Sequence, residues 1–323
     1  MRVCRRRVLG WAASTAALPA LARIAQADAY PTRPVRMVVG FPASNASDIV
    51  ARLAAQKLSE RLGQSFVVEN RPGAGGNIGV ESVVNAAPDG YTLLAASTSA
   101  AINATLYDKL NFNFLRDIAP VASVARAPYV FVVTPSFPAN TVPELIAYAK
   151  ANPGKINMAS AGNGSLSHLC GELFMTMTGI QMVHVPYRTS FLPDLFAGQI
   201  QTVFSPISQS IEYVRSGKLR ALGVTSAARQ PSLPDIPAVA EFAPGYEASG
   251  WYGIGAPKNT PADIVERLNK ETNAALADAD MKKRLTELGA VAMPSTPAEF
   301  GAFLAADTEK WAKVIRAANI KPE

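Results

Sequence analysis

The chain has 323 residues, of which 49% are hydrophobic and 17% charged, and a formal net charge of +6. That length suits two domains better than one, and no run reaches the ~20 apolar residues that a membrane span needs. The positive balance invites a nucleic-acid reading, but the distribution of the charge argues against it. Residues 1–29, MRVCRRRVLGWAASTAALPALARIAQADA, have a basic front, a modestly apolar middle and a small-residue end, which is the pattern of a secretory signal. Cleavage fits after Ala27 or Ala29, and Arg5-Arg6 admits a twin-arginine route beside the general one. Removing this segment takes away five arginines and Asp28, leaving 26 basic against 24 acidic side chains and no clustered basic face. Cys4 leaves with the signal and Cys170 alone cannot form an internal bridge, so the exported protein is held by its core. The expectation is a periplasmic protein.

Along the remaining chain, apolar runs alternate with helical patterns. VRMVVGF (35–41) predicts a strand, and SDIVARLAAQKLSERLG (47–63) a helix with Ile49, Leu53, Leu58 and Leu62 near one face and Gly63 as its stop. A strand over 65–70, a short helix over 76–87, a turn at Pro88-Asp89-Gly90 and a strand over 91–97 follow. The segment 117–134 then runs extended, as a crossing between two bodies would. A second set comes after it: helix 142–151, strand 156–160, helix 165–178, strand 181–185, helix 191–197, strand 200–204, helix 207–216 and strand 219–224. Residues 232–247 are proline-rich loop, 251–261 read as a return crossing, and helices 261–277, 279–288 and 296–318 close the chain.

The expected fold is α/β, with two parallel-type βα sheets joined by two crossover segments and a ligand cleft between them. The expected division is residues 1–29 as signal, 30–126 plus 252–323 as one domain, and 127–251 as the other.

The polar corners between strands and helices are the candidate chemistry. FPASNAS (41–47) would lie at a parallel strand's carboxyl end and open a helix, where free N–H groups and the helix dipole favour an anion. The plainer alternative is that Asn45 or Ser47 caps the helix and Asp48 complements its dipole. SAGNGSLSH (160–168) repeats the device in the second half, so two such corners could face each other and hold carboxylates without a charged side chain. STSA (97–100) offers hydroxyls at the same edge. HVPYRTS (184–190) brings Tyr187, to line the cleft or simply pack, and Arg188, to pair with a carboxylate or sit in a surface ion pair.

Catalytic and cofactor signatures are weak. GNGSLSH (162–168) places serines beside His168 but lacks the last glycine of a nucleophile elbow. His168 and His184 lack metal-ligand spacing, and one cysteine does not complete a zinc set. PGAGGNIG (72–79) is not in the register of a dinucleotide fingerprint and is expected to be a tight turn. No cofactor and no enzymatic activity are expected.

In order, YPTRPVRMVVGFPA, SDIVARLAAQKLSERLGQSFVVENRPGAGGNIGVESVVNAAPDGYTLL, HVPYR, SGKLRALGVTSAAR, LPDIPAVAE and NKETNAAL resemble the substrate-binding proteins of tripartite tricarboxylate transporters, the Bug family of periplasmic receptors. The resemblance covers the whole chain after the signal. It implies the hinged two-domain fold and capture of a small organic acid for integral membrane transporter subunits. It also implies that the ligand meets Phe41, Ala43, Ser44, Asn45, Ser47 and Asp48, then Ser97, Thr98 and Ser99, and Ala161, Gly162, Asn163, Ser165 and Ser167.

Two departures stand out. FPASNASD replaces the family's usual FPPGGATD, so Ser44 and Asn45 stand where glycines are usual, and Ser44 would be strained at positive φ. PYRTSFLPDLFAGQ is two residues shorter than the usual segment. Two rivals remain open on the sequence: a ligand sensor presenting its closed shape to a sensor kinase, and an exported hydrolase using Ser165 or Ser167 with His168. A monomer is expected.

Overall fold

Valine-rich runs form the strands and the amphipathic stretches between them form the helices of this computed structural model, which describes residues 30–187 and 189–322. The expected signal, residues 1–29, and Arg188 lie outside the described residues. The first half runs β1 (Val35–Val39), α1 (Ala46–Leu62), β2 (Phe66–Asn70), α2 (Asn77–Val84), β3 (Thr92–Ser97), α3 (Thr98–Leu106) and a single turn, α4 (Phe114–Asp117). Strand β4 (Ile118–Val133) leads to the second half. There follow α5 (Val142–Ala151), β5 (Asn157–Ser160), α6 (Leu166–Thr178), β6 (Val183–Pro186), α7 (Leu192–Phe196), β7 (Thr202–Pro206), α8 (Ile207–Arg215) and β8 (Arg220–Val224). The chain returns through β9 (Ser249–Pro257) and ends with α9 (Ala262–Ala277), α10 (Ala279–Glu287), β10 (Val291–Ala292) and α11 (Pro297–Ala317).

The strand order is β2-β1-β3-β9-β4-β7-β5-β6, with β8 and β10 also pairing β4. Parallel pairs occur within each half, β1 with β2 and β3, and β5 with β6 and β7. The crossing strands β4 and β9 are antiparallel to their neighbours. Over Ile118–Pro128 β4 pairs with β9, and from Tyr129 to Val133 it pairs with β7 and β8. One strand therefore belongs to both halves, and the structure is an α/β fold whose two parallel-strand halves are joined through β4 and β9.

Alternation along the strands sorts the core. Met37 and Val39 join a cluster with α1, α9 and α10, while Val38 faces the opposite cluster with α2, α3 and α11. In β4, Val130 and Val132 pack towards α7 and α8, and Phe131 and Val133 towards α5 and α6. The cluster containing Phe131 continues through Trp251 and Trp311, so one core runs under both halves.

Helix α1 stops at Gly63, in the left-handed region at φ 70, and α11 starts in a capping box between Thr296 and Glu299. The glycine run at 73–76 is the expected tight turn. A Cβ on Gly40 would come within 2.6 Å of the Gly76 carbonyl, so the end of β1 and the entry to α2 touch backbone to backbone.

Helix α3 was not expected. Thr98, Ala100, Ala101, Ile102, Asn103 and Leu106 are buried, and the more exposed Ser99, Ala104 and Thr105 are small and fall on different sides of the helix, so no polar stripe sets a helical period.

Candidate functional site

A cavity of about 770 Å³ opens at the carboxyl ends of the parallel strands, where α1, α3, α6 and α8 begin. Of the expected residues, Phe41, Ser44, Asn45 and Ser47 line it from the first corner, and Ser97, Thr98 and Ser99 from the third strand's end. Ala161, Ser165 and Ser167 line it from the second half. The remaining wall is mainly apolar or aromatic and includes Ile102, Tyr129, Leu166, Phe191, Phe204, Trp251 and Tyr252. Among the described residues, no Asp, Glu, Lys or Arg side chain lines the cavity.

The first corner is braced from behind. Asp48 is 2% exposed and does not line the cavity. It accepts from the Ser44 amide at 2.9 Å, from Arg52 Nε at 2.9 Å and from Asn70 Nδ2 at 2.8 Å. Asn70 also donates to the Phe41 carbonyl at 2.9 Å, so strand β2 and helix α1 are tied to the loop between β1 and α1. Burial pushes the Asp48 carboxyl up, but the bonds from Arg52, Asn70 and Ser44 outweigh it and hold the group below its ordinary value. Its role is to brace the corner, because its bonds go to the Ser44 amide, Arg52 and Asn70 and not into the cavity. Ser44 has φ 66, so the serine does occupy the strained region, whereas Asn45 is extended at φ −71 and caps α1 by accepting from the Ser47 amide at 2.9 Å.

Hydroxyls and imidazoles build the second corner, with the Glu172 carboxylate behind His168. Ser165 caps α6, accepting from the His168 amide at 3.4 Å while its hydroxyl donates to the Gly162 carbonyl at 2.7 Å. Ser167 Oγ accepts from the Ala161 amide at 2.9 Å. Beneath them Ser160 Oγ lies 2.6 Å from His184 Nε2 and accepts from the Gly162 amide at 3.1 Å. The His168 and His184 rings stack with centroids 3.5 Å apart. His168 Nδ1 accepts from the Gly164 amide at 3.2 Å and Nε2 faces Glu172 at 3.2 Å, so neither ring nitrogen is turned to the hydroxyl of Ser165 or Ser167. The histidine shapes the corner and does not pair with either serine as a base.

The other expected residues are placed elsewhere. Ala43 is exposed and outside the lining, Gly162 is buried beneath the corner as a bonding partner of Ser160 and Ser165, and Asn163 is exposed outside the lining. Tyr187 turns towards α7, where its hydroxyl donates to Asp194; burial first and that carboxylate second push its pKa up to about 12. The described residues include no group of three or more His, Cys, Asp or Glu that could hold a metal ion. Cys170 is buried and free, and burial pushes its thiol up. No helix among the described residues is long and apolar enough to cross a membrane.

Sequence reasoning passed over the fourth helix start. Pro206, Ser208 and Gln209 line the cavity at the head of α8, which follows the parallel strand β7 and has no side-chain cap. The stretch FSPISQ (204–209) carries the same small-polar signal as the other corners, so it was available. Helix α3 is likewise uncapped by any side chain, and the first amides of α3 and α8 are the donors that a bound anion can satisfy. Thr98 has a second tie: its Oγ1 accepts from the Trp251 amide at 2.7 Å, and the Trp251 indole donates to buried Asp307 at 2.7 Å. Leu288, Gly289 and Ala290 reach the rim from the end of α10, for which the sequence holds no local signal.

Comparison with known proteins finds relatives over most of the chain. The model of the tripartite tricarboxylate transporter family receptor matches residues 50–320. Protein BugT of Bordetella pertussis is 37% identical over 300 residues, covering 91% of this chain and 92% of BugT. A solved R. palustris protein with adipate is 36% identical with a TM-score of 0.79, over 91% of this chain and 100% of that one. MatC from Rhodopseudomonas palustris with bound malate is 30% identical with a TM-score of 0.74, over 88% of this chain and 100% of MatC.

Proposed function

The chain belongs to the tripartite tricarboxylate transporter receptor family, a family of solute-binding proteins rather than enzymes, and from that premise we propose that it captures a small organic acid in the periplasm and delivers it to integral membrane transporter subunits. One observation carries the ligand class: four helix starts open on a cavity whose described lining holds no charged side chain. Carboxylate oxygens would take the uncapped amides of α3 and α8 and the hydroxyls beside Ser97–Ser99 and Ser165–Ser167. The positive ends of the helix dipoles supply the attraction that an arginine would supply elsewhere. The aromatic and aliphatic wall would pack on the rest of the ligand. Adipate and malate in the two R. palustris relatives support the same class.

The two lobes of the working receptor are residues 30–126 with 252–323 and residues 127–251. The exchange of β4 partners between Pro128 and Tyr129 supports that division. Closure is a shift towards a state that holds the ligand between the corners of both lobes.

A thermal-shift series with succinate, malate, adipate, citrate and a neutral sugar tests the reading. A ligand at 100 times its dissociation constant adds about 2.7 kcal/mol to stability, well within detection. Stabilisation by an acid and none by the sugar is the expected outcome; stabilisation by the sugar alone would sink the carboxylate assignment. Loss of uptake of that acid on deletion of the gene tests the membrane partner, and unimpaired uptake would remove it.

A further inference from the structure

We propose that Gly289 is a positioning residue of the receptor: the absence of a side chain there lets the two lobes meet at the head of α8 and complete the cavity wall. The inference rests on the two-lobe receptor reading and names a residue on which closure depends.

Local chemistry fixes where Gly289 stands. It ends α10 in the left-handed region at φ 68, with its amide bonded to the Thr286 carbonyl at 2.9 Å and the Ala290 amide bonded to the Leu285 carbonyl at 2.8 Å. That pair of bonds is a Schellman close. Leu285 and Ala290 are buried in the cluster that α1, α9 and β4 share, so residues 288–290 are anchored in the first lobe. Ile207, the first residue of α8, is buried in a separate cluster with Val130, Leu195 and Val203 of the second lobe.

The two anchors touch. A Cβ on Gly289 would stand 3.1 Å from Ile207 Cβ and 3.1 Å from the Ser208 nitrogen. Neither atom can swing aside as the tip of a long side chain can. Leu288, Gly289 and Ala290 line the cavity from one lobe, and Ile207, Ser208 and Gln209 line it from the other, so this contact joins the two parts of the wall. A second approach has the same form. A Cβ on Gly164, in the second corner, would run into Leu106 Cδ2 at the end of α3. There the neighbour is a leucine tip that can turn, which makes Gly289 the stricter of the two.

A side chain at 289 would not disturb the end of α10 if it tolerated the left-handed region, but it could not share the space at the head of α8. Packed interiors do not compress, so the lobes would have to part. The closed state would lose stability while the open state kept its own. Apparent affinity would then fall with the fraction of molecules able to close, although the loss acts through α8 and not through the ligand.

Gly289→Asn tests this against Gly179→Asn. Asparagine tolerates positive φ better than most side chains, and Gly179 ends α6 at the same φ of 68 with nothing within 4 Å of its Cβ position. Both variants carry the same backbone strain, and only one carries the contact. Calorimetric titration with succinate, malate, adipate and citrate measures affinity, and X-ray scattering with and without the tightest of these measures contraction. Wild type and Gly179→Asn are expected to bind one acid alike and to contract on binding it. Gly289→Asn should bind that acid at least about 5-fold more weakly and contract less at a concentration that saturates the wild type. Should Gly289→Asn fail to fold, Gly289→Ala against Gly179→Ala reads a smaller loss in the same direction.

Equal affinities in the two matched variants overturn the inference alone. So does weaker binding by the Gly289 variant with the wild-type contraction kept, since the side chain would then only cover the Ser208 amide. Failure of all four acids with the wild type overturns the acid reading, and binding without contraction overturns the two-lobe closure; either result removes this inference with it.

Discussion

At the head of α1 a buried carboxylate, Asp48, gathers the Ser44 amide, Arg52 and Asn70, whereas at the head of α6 the matching loop is braced by Ser160, Ser165, Ser167 and two stacked imidazoles. Both corners present a helix start to one cavity, yet in one a buried carboxylate bonds the loop directly, whereas in the other hydroxyls and imidazoles do so and a carboxylate, Glu172, enters only behind His168. The charge is kept behind the loop, on the side away from the lining, and its partner Arg52 is half exposed. An ionic brace is thus compatible with an uncharged site so long as it acts through the backbone. The two corners should fail differently when perturbed.

The largest effect is expected from removing the charge. Asp48→Ala leaves Asn70, Arg52 and the Ser44 amide without their common acceptor. Breaking a fully buried pair costs about 3–5 kcal/mol. Arg52 can turn to solvent, which lowers the expectation to about 2–3 kcal/mol. Urea unfolding midpoints measure it, and a loss under about 0.5 kcal/mol would mean that the brace is decorative. On the other side, Ser160→Ala removes one neutral hydroxyl from beneath the second corner. The Gly162 amide then loses its acceptor and His184 loses that partner, at a cost of about 1–2 kcal/mol. A cost equal to that of Asp48→Ala would erase the distinction between the two corners.

Acid separates them again. The Asp48 carboxyl titrates below its ordinary value of 3.8 in the folded protein, so the unfolded chain takes up the proton more readily. The stability contributed by this group is complete above the unfolded value and is lost as the pH falls through the folded one. The gap between wild type and Asp48→Asn should therefore narrow as the pH falls below about 5 and go on narrowing through the folded value, which lies under 3.8. For Ser160→Ala this carboxylate is common to both proteins, so it predicts no such narrowing. A constant gap for Asp48→Asn would mean that the carboxylate gains nothing from its ionised form.

These braces differ in how far the sequence disclosed them. The strands and most helices were legible because valine-rich runs and amphipathic stripes carry their own period, and α1 was expected within a residue of its observed ends. Helix α3 was not, because its few exposed positions are small residues that form no stripe. The corners were legible as small polar residues between a strand and a helix. Their internal division of labour was not, since the partner of Asp48 that matters to Phe41 is Asn70, from the next strand. Tyr187 shows the converse error. Its neighbourhood suggested the cleft or simple packing, but Asp194, seven residues on in α7, captures the hydroxyl. The aromatic wall was invisible for a third reason: Tyr129, Trp251 and Tyr252 lie in crossing strands that are apolar nearly throughout, so nothing marks the cavity-facing ones.

The smallest expected effect bears on why the charged brace is needed. Ser44 sits at φ 66, where an L-residue is destabilised by about 1–2 kcal/mol, and its amide is held there by Asp48. Ser44→Gly relieves that strain but raises the entropy of the unfolded chain by an amount worth about 0.4–1 kcal/mol. The net is a gain of about 0.5 kcal/mol, read as a small rise in the urea midpoint. In the Asp48→Ala background the loop has lost the acceptor that fixes this conformation, and serine can relax out of it. The glycine substitution should then gain less than it does in the wild type, a coupling that a double-mutant cycle isolates. Equal gains in both backgrounds would mean that Asp48 and the strained serine are independent, and that the carboxylate braces α1 and β2 but not the loop that lines the cavity.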